Sequence, residues 1–280
     1  MKLSFEEYYS ELFGSRWSSL KESLLKDGIH AKIDSGREPY FLDPASLCAA
    51  LCLPLEGKKR IADLCAAPGG KSLVTALGMD QDASLDANER SSQRKARLVS
   101  VLDQSLPQEI RERITVTCSD AAPWCRTKSE CYDAILLDAP CSSERHVLLD
   151  PKYFSQWSPS RIKSLSMEQW ALLSCSWRLL EPGGHILYAT CALSPSENDG
   201  VVSRLKKKFE GARILTEEEV KSVFKARLDR SKSFFSSEFV DLEELFSRAE
   251  KTEFGFQLLP DRAGGTGPLF FCLIAKNETV

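Results

Sequence analysis

The sequence predicts an α/β fold: a mostly parallel sheet with helices on both faces and an antiparallel hairpin at one edge. Three observations carry this prediction. From residue 58 onward, short apolar runs alternate with amphipathic helical stretches, which is the pattern of consecutive βαβ units. The first of those runs, residues 60–63, leads into a turn of small residues, Cys65-Ala66-Ala67-Pro68-Gly69-Gly70, as the first βα turn of a ligand-binding parallel sheet does. Near the C-terminus, two apolar runs around 256–259 and 269–275 flank a turn-rich stretch and read as a hairpin.

Residues 1–57 read as a helical N-terminal extension and 58–280 as the main domain. Ser4 and Glu7 fit a capping box, and Leu3 with Tyr8 fits a hydrophobic staple. Phe5, Tyr9, Leu12 and Phe13 then recur at helical spacing and are read as core, not as a set for stacking bases. Residues 35–57 read as a turn and a short apolar helix. Strands are predicted at 60–63, 83–88, 113–120 and 133–138, with helices after Gly70 and across "QRKARLVSVLDQ". A helix over 160–180 carries Ile162, Leu165, Trp170, Leu172, Leu173, Trp177 and Leu180, "EPGG" breaks it, and "HILYATC" is the next strand. Ser194, Pro195 and Glu197 look like the cap, first residue and capping acid of a further helix. The segment 209–252 is charged, helical and the least tied to the fold.

With 42% apolar and 28% charged residues, the chain has the composition of an ordinary globule. The longest apolar run, "CAALCLPL", is too short for a bilayer, so no membrane partner is expected. The acidic start "MKLSFEEYYSELFG" resembles neither a signal nor a transit peptide, and the expectation is a cytoplasmic protein. Ten cysteines contain no C-x-x-C pair and only three histidines accompany them, so neither a metal site nor a disulfide framework is expected. A net charge of −3 argues against broad affinity for phosphates. Any nucleic-acid contact would then use local basic clusters: 58–60, 90–97, or Arg145 and His146.

Chemistry concentrates in three stretches. Asp63 to Ser72 lacks both the G-x-x-x-x-G-K and the G-x-G-x-x-G spacing, yet its glycines at a helix start point to a nucleoside or amino-acid ligand. An acid ending the second strand should hold a ribose, and Asp86 and Glu89 both qualify; Asp120 ends the third strand. The other two stretches, "AILLDAPCSSERH" and "HILYATCALSPSEN", each run from apolar residues into a thiol, Cys141 and Cys191.

Taken in register, "DLCAAPGGKS", "ANE", "DAPCSS", "PGGHILYATCALSPSEN" and the terminal "FFCLIAK" resemble the NOL1/NOP2/Sun family of RNA cytosine-5 methyltransferases. "SSERH" looks more like the mitochondrial branch than the bacterial ribosomal enzymes. The resemblance implies a Rossmann-like class I methyltransferase fold with a seven-stranded sheet and S-adenosyl-L-methionine as cofactor. It implies RNA as partner, ribosomal RNA first and transfer RNA as the alternative, with a protein partner or a pre-assembled ribonucleoprotein as a further possibility. By the same resemblance, Cys65, Ala66, Pro68, Gly69, Gly70 and Lys71 hold the methionine part of the cofactor. Glu89 holds the ribose in preference to Asp86, Asp120 lies beside the adenine, and Arg94 belongs to the cofactor set. Asp138 serves both cofactor and target base, Lys71 joins the catalytic group, Cys191 is the nucleophile and Cys141 assists release. A DNA-type enzyme would instead use Cys141 as nucleophile, and an assembly factor would need neither thiol.

Overall fold

The computed structural model describes residues 3–235 and 240–278. A helical hairpin, α1 (Phe5–Phe13) and α2 (Trp17–Leu25), is followed by a small antiparallel pair, β1 (Ala31–Ile33) and β2 (Tyr40–Leu42), and by α3 (Pro44–Leu51). The alternating region runs β3 (Arg60–Asp63), α4 (Gly70–Gly78), β4 (Ser84–Asn88), α5 (Ser92–Ser105), α6 (Gln108–Arg111), β5 (Ile114–Thr117) and β6 (Tyr132–Asp138). Then come α7 (Glu144–Leu149), α8 (Pro151–Gln156), α9 (Pro159–Leu179), β7 (Leu180–Thr190) and α10 (Asp199–Lys208). The chain ends with β8 (Ala212–Ile214), α11 (Glu217–Ser231), α12 (Leu242–Ser247), β9 (Glu250–Lys251), β10 (Phe256–Leu258) and β11 (Leu269–Lys276).

The main sheet has the order β5-β4-β3-β6-β7-β11-β10-β9, with β8 pairing β11. β3 to β7 are parallel neighbours, and β11 enters antiparallel between β7 and β10. The expected seven strands and edge hairpin are present, and the short β8 and β9 extend them. β6 shows why the central strands read as continuous apolar runs: Ala134 and Leu136 point into one core, Ile135 and Leu137 into the other. α3, α4, α5, α11 and α12 cover the first face, and α9 and α10 the second.

The N-terminal capping box forms as predicted, with Ser4 and Glu7 exchanging hydrogen bonds. Of the proposed core set, Phe5 and Tyr9 are buried, whereas Leu12 is exposed on the far side of α1. Phe5, Tyr9, Trp17, Leu20 and Leu24 pack with Val147, Trp157, Leu193 and Leu259, so the hairpin sits over the loops that follow β6 and β7. Burying each such side chain contributes about 1.5–3 kcal/mol.

Two expectations change. Residues 194–198 are a turn and α10 starts at Asp199. Glu197 does not cap a helix because its carboxylate reaches across to the backbone N–H of Ser142 at 2.9 Å. The segment 209–252 is not peripheral: β8 pairs with β11, and Val220, Phe224 and Leu228 of α11 belong to the core. Residues 236–239 of that segment lie outside the described residues.

Candidate active site

β6 and β7 are parallel and in register from Ala134↔His185 to Asp138↔Ala189, so both strands deliver their last residues to the same sheet edge. Just beyond, Cys141 Sγ lies 2.7 Å from Cys191 Sγ, and both thiols are free. Ser143 Oγ sits 3.3 Å from Cys191 Sγ and 3.5 Å from Cys141 Sγ. To reach this place Ser143 adopts φ 56, ψ 57, a left-handed conformation costly for a residue with a Cβ. The hydrogen bond to Cys191, reinforced by burial, pushes the Cys141 thiol well above its ordinary range, so Cys141 keeps its proton.

On the opposite wall Lys71 Nζ donates to Asp138 Oδ2 at 2.8 Å and to Ser46 Oγ at 3.1 Å. Burial works against the Lys71 charge, but the Asp138 carboxylate outweighs it and raises the lysine's proton affinity. The donor at this corner is therefore the ammonium of Lys71. Asp138, Lys71, Cys191, Ser143 and Arg145 share a cleft of about 450 Å³ with Asp43, Ser46, His146 and the 267–269 loop. Asp43 caps α3 through Ala45 N and also accepts from Gly267 N, which ties the last loop to the cleft. Arg145 is partly spent on structure, donating to the carbonyls of Leu24 and Gly265.

A second, smaller cavity of about 80 Å³ opens at the C-terminal ends of β4 and β5, lined by Cys65, Glu89, Arg94, Asp120 and Pro140 among others. Glu89 is 2% exposed. Its carboxylate accepts from Ser91 N at 2.9 Å and pairs with Arg94 at 3.3 Å. Arg94 also donates to Ala67 O at 2.6 Å, which links the acid to the Cys65–Gly70 turn. Asp120 accepts from Ala122 N and faces solvent. Asp86 points elsewhere, accepting from Tyr132 OH at 2.7 Å. Two carboxylates at one cavity, one of them buried, suit a ligand with vicinal hydroxyls and an amino-bearing base.

The two glycines of the turn serve the protein first. Gly69 has φ +120, which only glycine adopts without strain, and a Cβ at Gly70 would meet Leu42 at 2.6 Å. Ala66 is buried within the same turn, and Pro68 stands at its crest. Asp63, absent from the predicted set, is buried and accepts from Ser72 Oγ at 2.6 Å and Cys65 N at 3.3 Å. Its burial raises its carboxyl to about 7. Behind the thiols Glu144 and Glu197 are fully buried on either side of Ser142, a role that local spacing does not reveal for either. Ser46 and Asp43 were also missed, although Asp43-Pro44 is legible as a helix start. Among the described residues, no cluster of His, Cys, Asp or Glu is arranged to hold a metal, and no helix is long and apolar enough to cross a membrane.

A family profile described as 16S rRNA methyltransferase RsmB/F matches residues 50–261. The chain is 31% identical over 245 residues to the 5-cytosine rRNA methyltransferase NSUN4 of Bos taurus, covering 85% of this chain and 59% of that protein. It is 33% identical over 180 residues to the mitochondrial tRNA (cytosine(34)-C(5))-methyltransferase of Danio rerio, covering 64% of this chain and 48% of that one. The chain thus spans about half to three fifths of the length of these relatives. In fold it matches a methyltransferase homolog protein from Pyrococcus horikoshii, with a TM-score of 0.69, 20% identity, and coverage of 97% and 94%. These relatives overturn the expectation of a cytoplasmic protein, since the Danio rerio enzyme is named mitochondrial. The acidic residues behind that expectation, Glu6 and Glu7, belong to the first turn of α1 and report on a helix cap, not on a compartment.

Proposed function

Because the chain belongs to the 16S rRNA methyltransferase RsmB/F family, we propose that it methylates carbon 5 of a cytosine in RNA, with ribosomal RNA as the first substrate to test. The observation that carries this reading is the pair of free thiols in contact beyond the ends of β6 and β7, of which Cys191 lines the cleft that also holds the Lys71–Asp138 ion pair. S-adenosylmethionine, when bound, supplies a methyl group activated by its sulfonium charge. Glu89 and Asp120 are the residues to hold its adenosine, with Arg94 organising Glu89. The Cys65–Gly70 turn, Lys71 and Asp138 are those to hold its methionine part.

Carbon 5 of cytosine is a weak nucleophile. Addition of the Cys191 thiolate to carbon 6 turns the C5–C6 double bond into an electron pair available at carbon 5. Negative charge spreads onto the ring as this happens, and the Lys71 ammonium on the cleft wall offsets it. Once carbon 5 carries its methyl group, it must lose a proton while the Cys191–carbon 6 bond breaks; Cys141, in contact with Cys191, can give its own proton to the departing Cys191 sulfur as it takes the one from carbon 5. The target base must leave its stack to enter the cleft, and His146 with Leu149 stands at the rim. A transfer-RNA substrate is the second reading, favoured by the Danio rerio relative. A protein partner or a pre-assembled ribonucleoprotein would supply affinity that a net charge of −3 does not.

The test is incorporation of labelled methyl into ribosomal and transfer RNA by the wild type and Cys191→Ala proteins, with the product mapped as 5-methylcytosine. Incorporation that survives Cys191→Ala, or product at another atom, would sink the reading.

A further inference from the structure

The two thiol-bearing loops are tied to each other by a crossed pair of carboxyl groups. Glu144, which follows Cys141, accepts from Leu193 N, two residues after Cys191, at 3.0 Å. Glu197, which follows Cys191, accepts from Ser142 N, next to Cys141, at 2.9 Å. Each loop thus holds the other's backbone. Ser142 Oγ stands between the two carboxyls, 2.5 Å from Glu197 Oε2 and in short contact with Glu144 Oε1. Tyr9 of α1 completes the set by donating to Glu144 Oε1, and Gln169 Nε2 donates to Glu197 Oε1 at 3.0 Å.

Ser142 has one hydroxyl hydrogen and two carboxyl neighbours. If it donates to one, the other must donate to it and so must carry a proton. The remaining contacts say which. Both oxygens of Glu144 accept, from Tyr9 and Ser142 on one side and Leu193 N on the other. Glu197 accepts two N–H groups on Oε1, which leaves Oε2 to hold the hydrogen. We propose that Glu144 and Glu197 are positioning residues that share one proton through Ser142 and thereby hold Cys141 and Cys191 in contact. The inference rests on the methyl-transfer reading for its kinetic arm only.

The groups facing this pair are Tyr9 on α1, Tyr188 on β7, Cys141 and each other; Tyr188 OH is itself occupied by Glu197 O at 2.6 Å. Among the described residues, no cation is one of the groups that set either carboxyl, and burial raises both, Glu197 to about 7. Rising pH therefore removes the shared proton and leaves two like charges on one hydroxyl, and the tie loosens.

The isosteric variants should fail differently. In Glu197→Gln the amide NH₂ replaces the protonated Oε2 and the amide oxygen replaces Oε1, so the tie is kept and its proton cannot be lost. In Glu144→Gln an NH₂ facing Leu193 N meets a second donor, and one facing Tyr9 and Ser142 leaves the Tyr9 hydroxyl hydrogen without its acceptor, so the Glu144 side of the tie loses a bond in either setting. Turnover of Glu197→Gln should stay near wild type at pH 6.5, and its ratio to wild type should rise with pH. Glu144→Gln should lose about 100-fold in kcat with little change in KM, as expected of a displacement of the reacting group. Tyr9→Phe, a milder change for the case in which Glu144→Gln does not fold, should lower kcat several-fold.

The second arm needs neither RNA nor cofactor. Phenylarsine oxide bridges two adjacent thiols with loss of water, and the Cys141→Ser protein sets the background. Capture above that background should persist in Glu197→Gln and fall in Glu144→Gln and Tyr9→Phe. Equal losses in the two glutamine variants, a flat pH ratio, or full capture in Glu144→Gln would overturn the proposal. Absent methyl transfer in the wild type, with the capture pattern as stated, would defeat the methyl-transfer reading and leave the tie standing.

Discussion

Glu89 ends β4 with its carboxylate almost wholly buried and one cation, Arg94, to balance it. Glu89→Ala should weaken S-adenosylmethionine binding by about 2–3 kcal/mol, the range for charge-assisted hydrogen bonds, with the fold intact; unchanged calorimetric affinity would overturn the assignment. The thiols should also separate. Cys191→Ala should form no covalent protein–RNA adduct, whereas Cys141→Ala should accumulate one that survives denaturing electrophoresis. An adduct confined to the Cys191 variant would reverse the two roles. What was legible at this scale was what a local motif fixes: the Ser4–Glu7 capping box, the small-residue turn at Cys65–Gly70, the two thiols after apolar runs. Glu197 was misread because Ser-Pro-Ser-Glu fits a helix cap, while its actual partner, Ser142, lies far away in the chain. Spacing cannot choose between a near partner and a distant one.

Among the elements, α11 looked dispensable from its charge, yet it inserts Arg227 behind the helix that carries Lys71. The guanidinium is 4% exposed and donates to Leu53 O and Val74 O, and its Nη1 has no partner. Burial lowers its proton affinity to about 10. Arg227→Ala should cost about 2–4 kcal/mol through the cavity and the stranded carbonyls. Arg227→Met should cost less in denaturant unfolding, because it fills the space and removes the orphaned donor. A larger loss for methionine than for alanine would show that the charge itself is needed. Nothing in the local pattern signals this, since a basic helix with few apolar residues reads as solvated. By contrast β3, β4 and β6 were placed to within about a residue, because strands buried on both faces write their apolar runs plainly; β7 starts at Leu180, so the Glu181–Gly184 stretch read as a break lies inside the strand.

The whole molecule should respond to pH and salt in defined directions. Asp63 and Glu197 are both raised to about 7 from ordinary carboxyl values, so the folded chain binds protons that the unfolded chain has released. Stability should therefore be fullest below the ordinary carboxyl range and fall as pH rises toward and through 7, and Glu197→Gln should flatten part of that fall. A melting temperature that climbs across this window would contradict both assignments. RNA affinity should decline only shallowly with salt, given the net charge of −3; a slope like that of a protein with about ten phosphate contacts would require a basic face the sequence does not have.

The place of β11 has a consequence for the timing of competence. This strand lies between β7 and β10, close to the end of the chain, and the loop before it closes the cleft through Gly267 and Asp43. The residues of β11 must leave the ribosome before the cleft can close, although both thiols and the cofactor turn come far earlier in the sequence. Until then a nascent chain carries the reacting groups without the loop that encloses them.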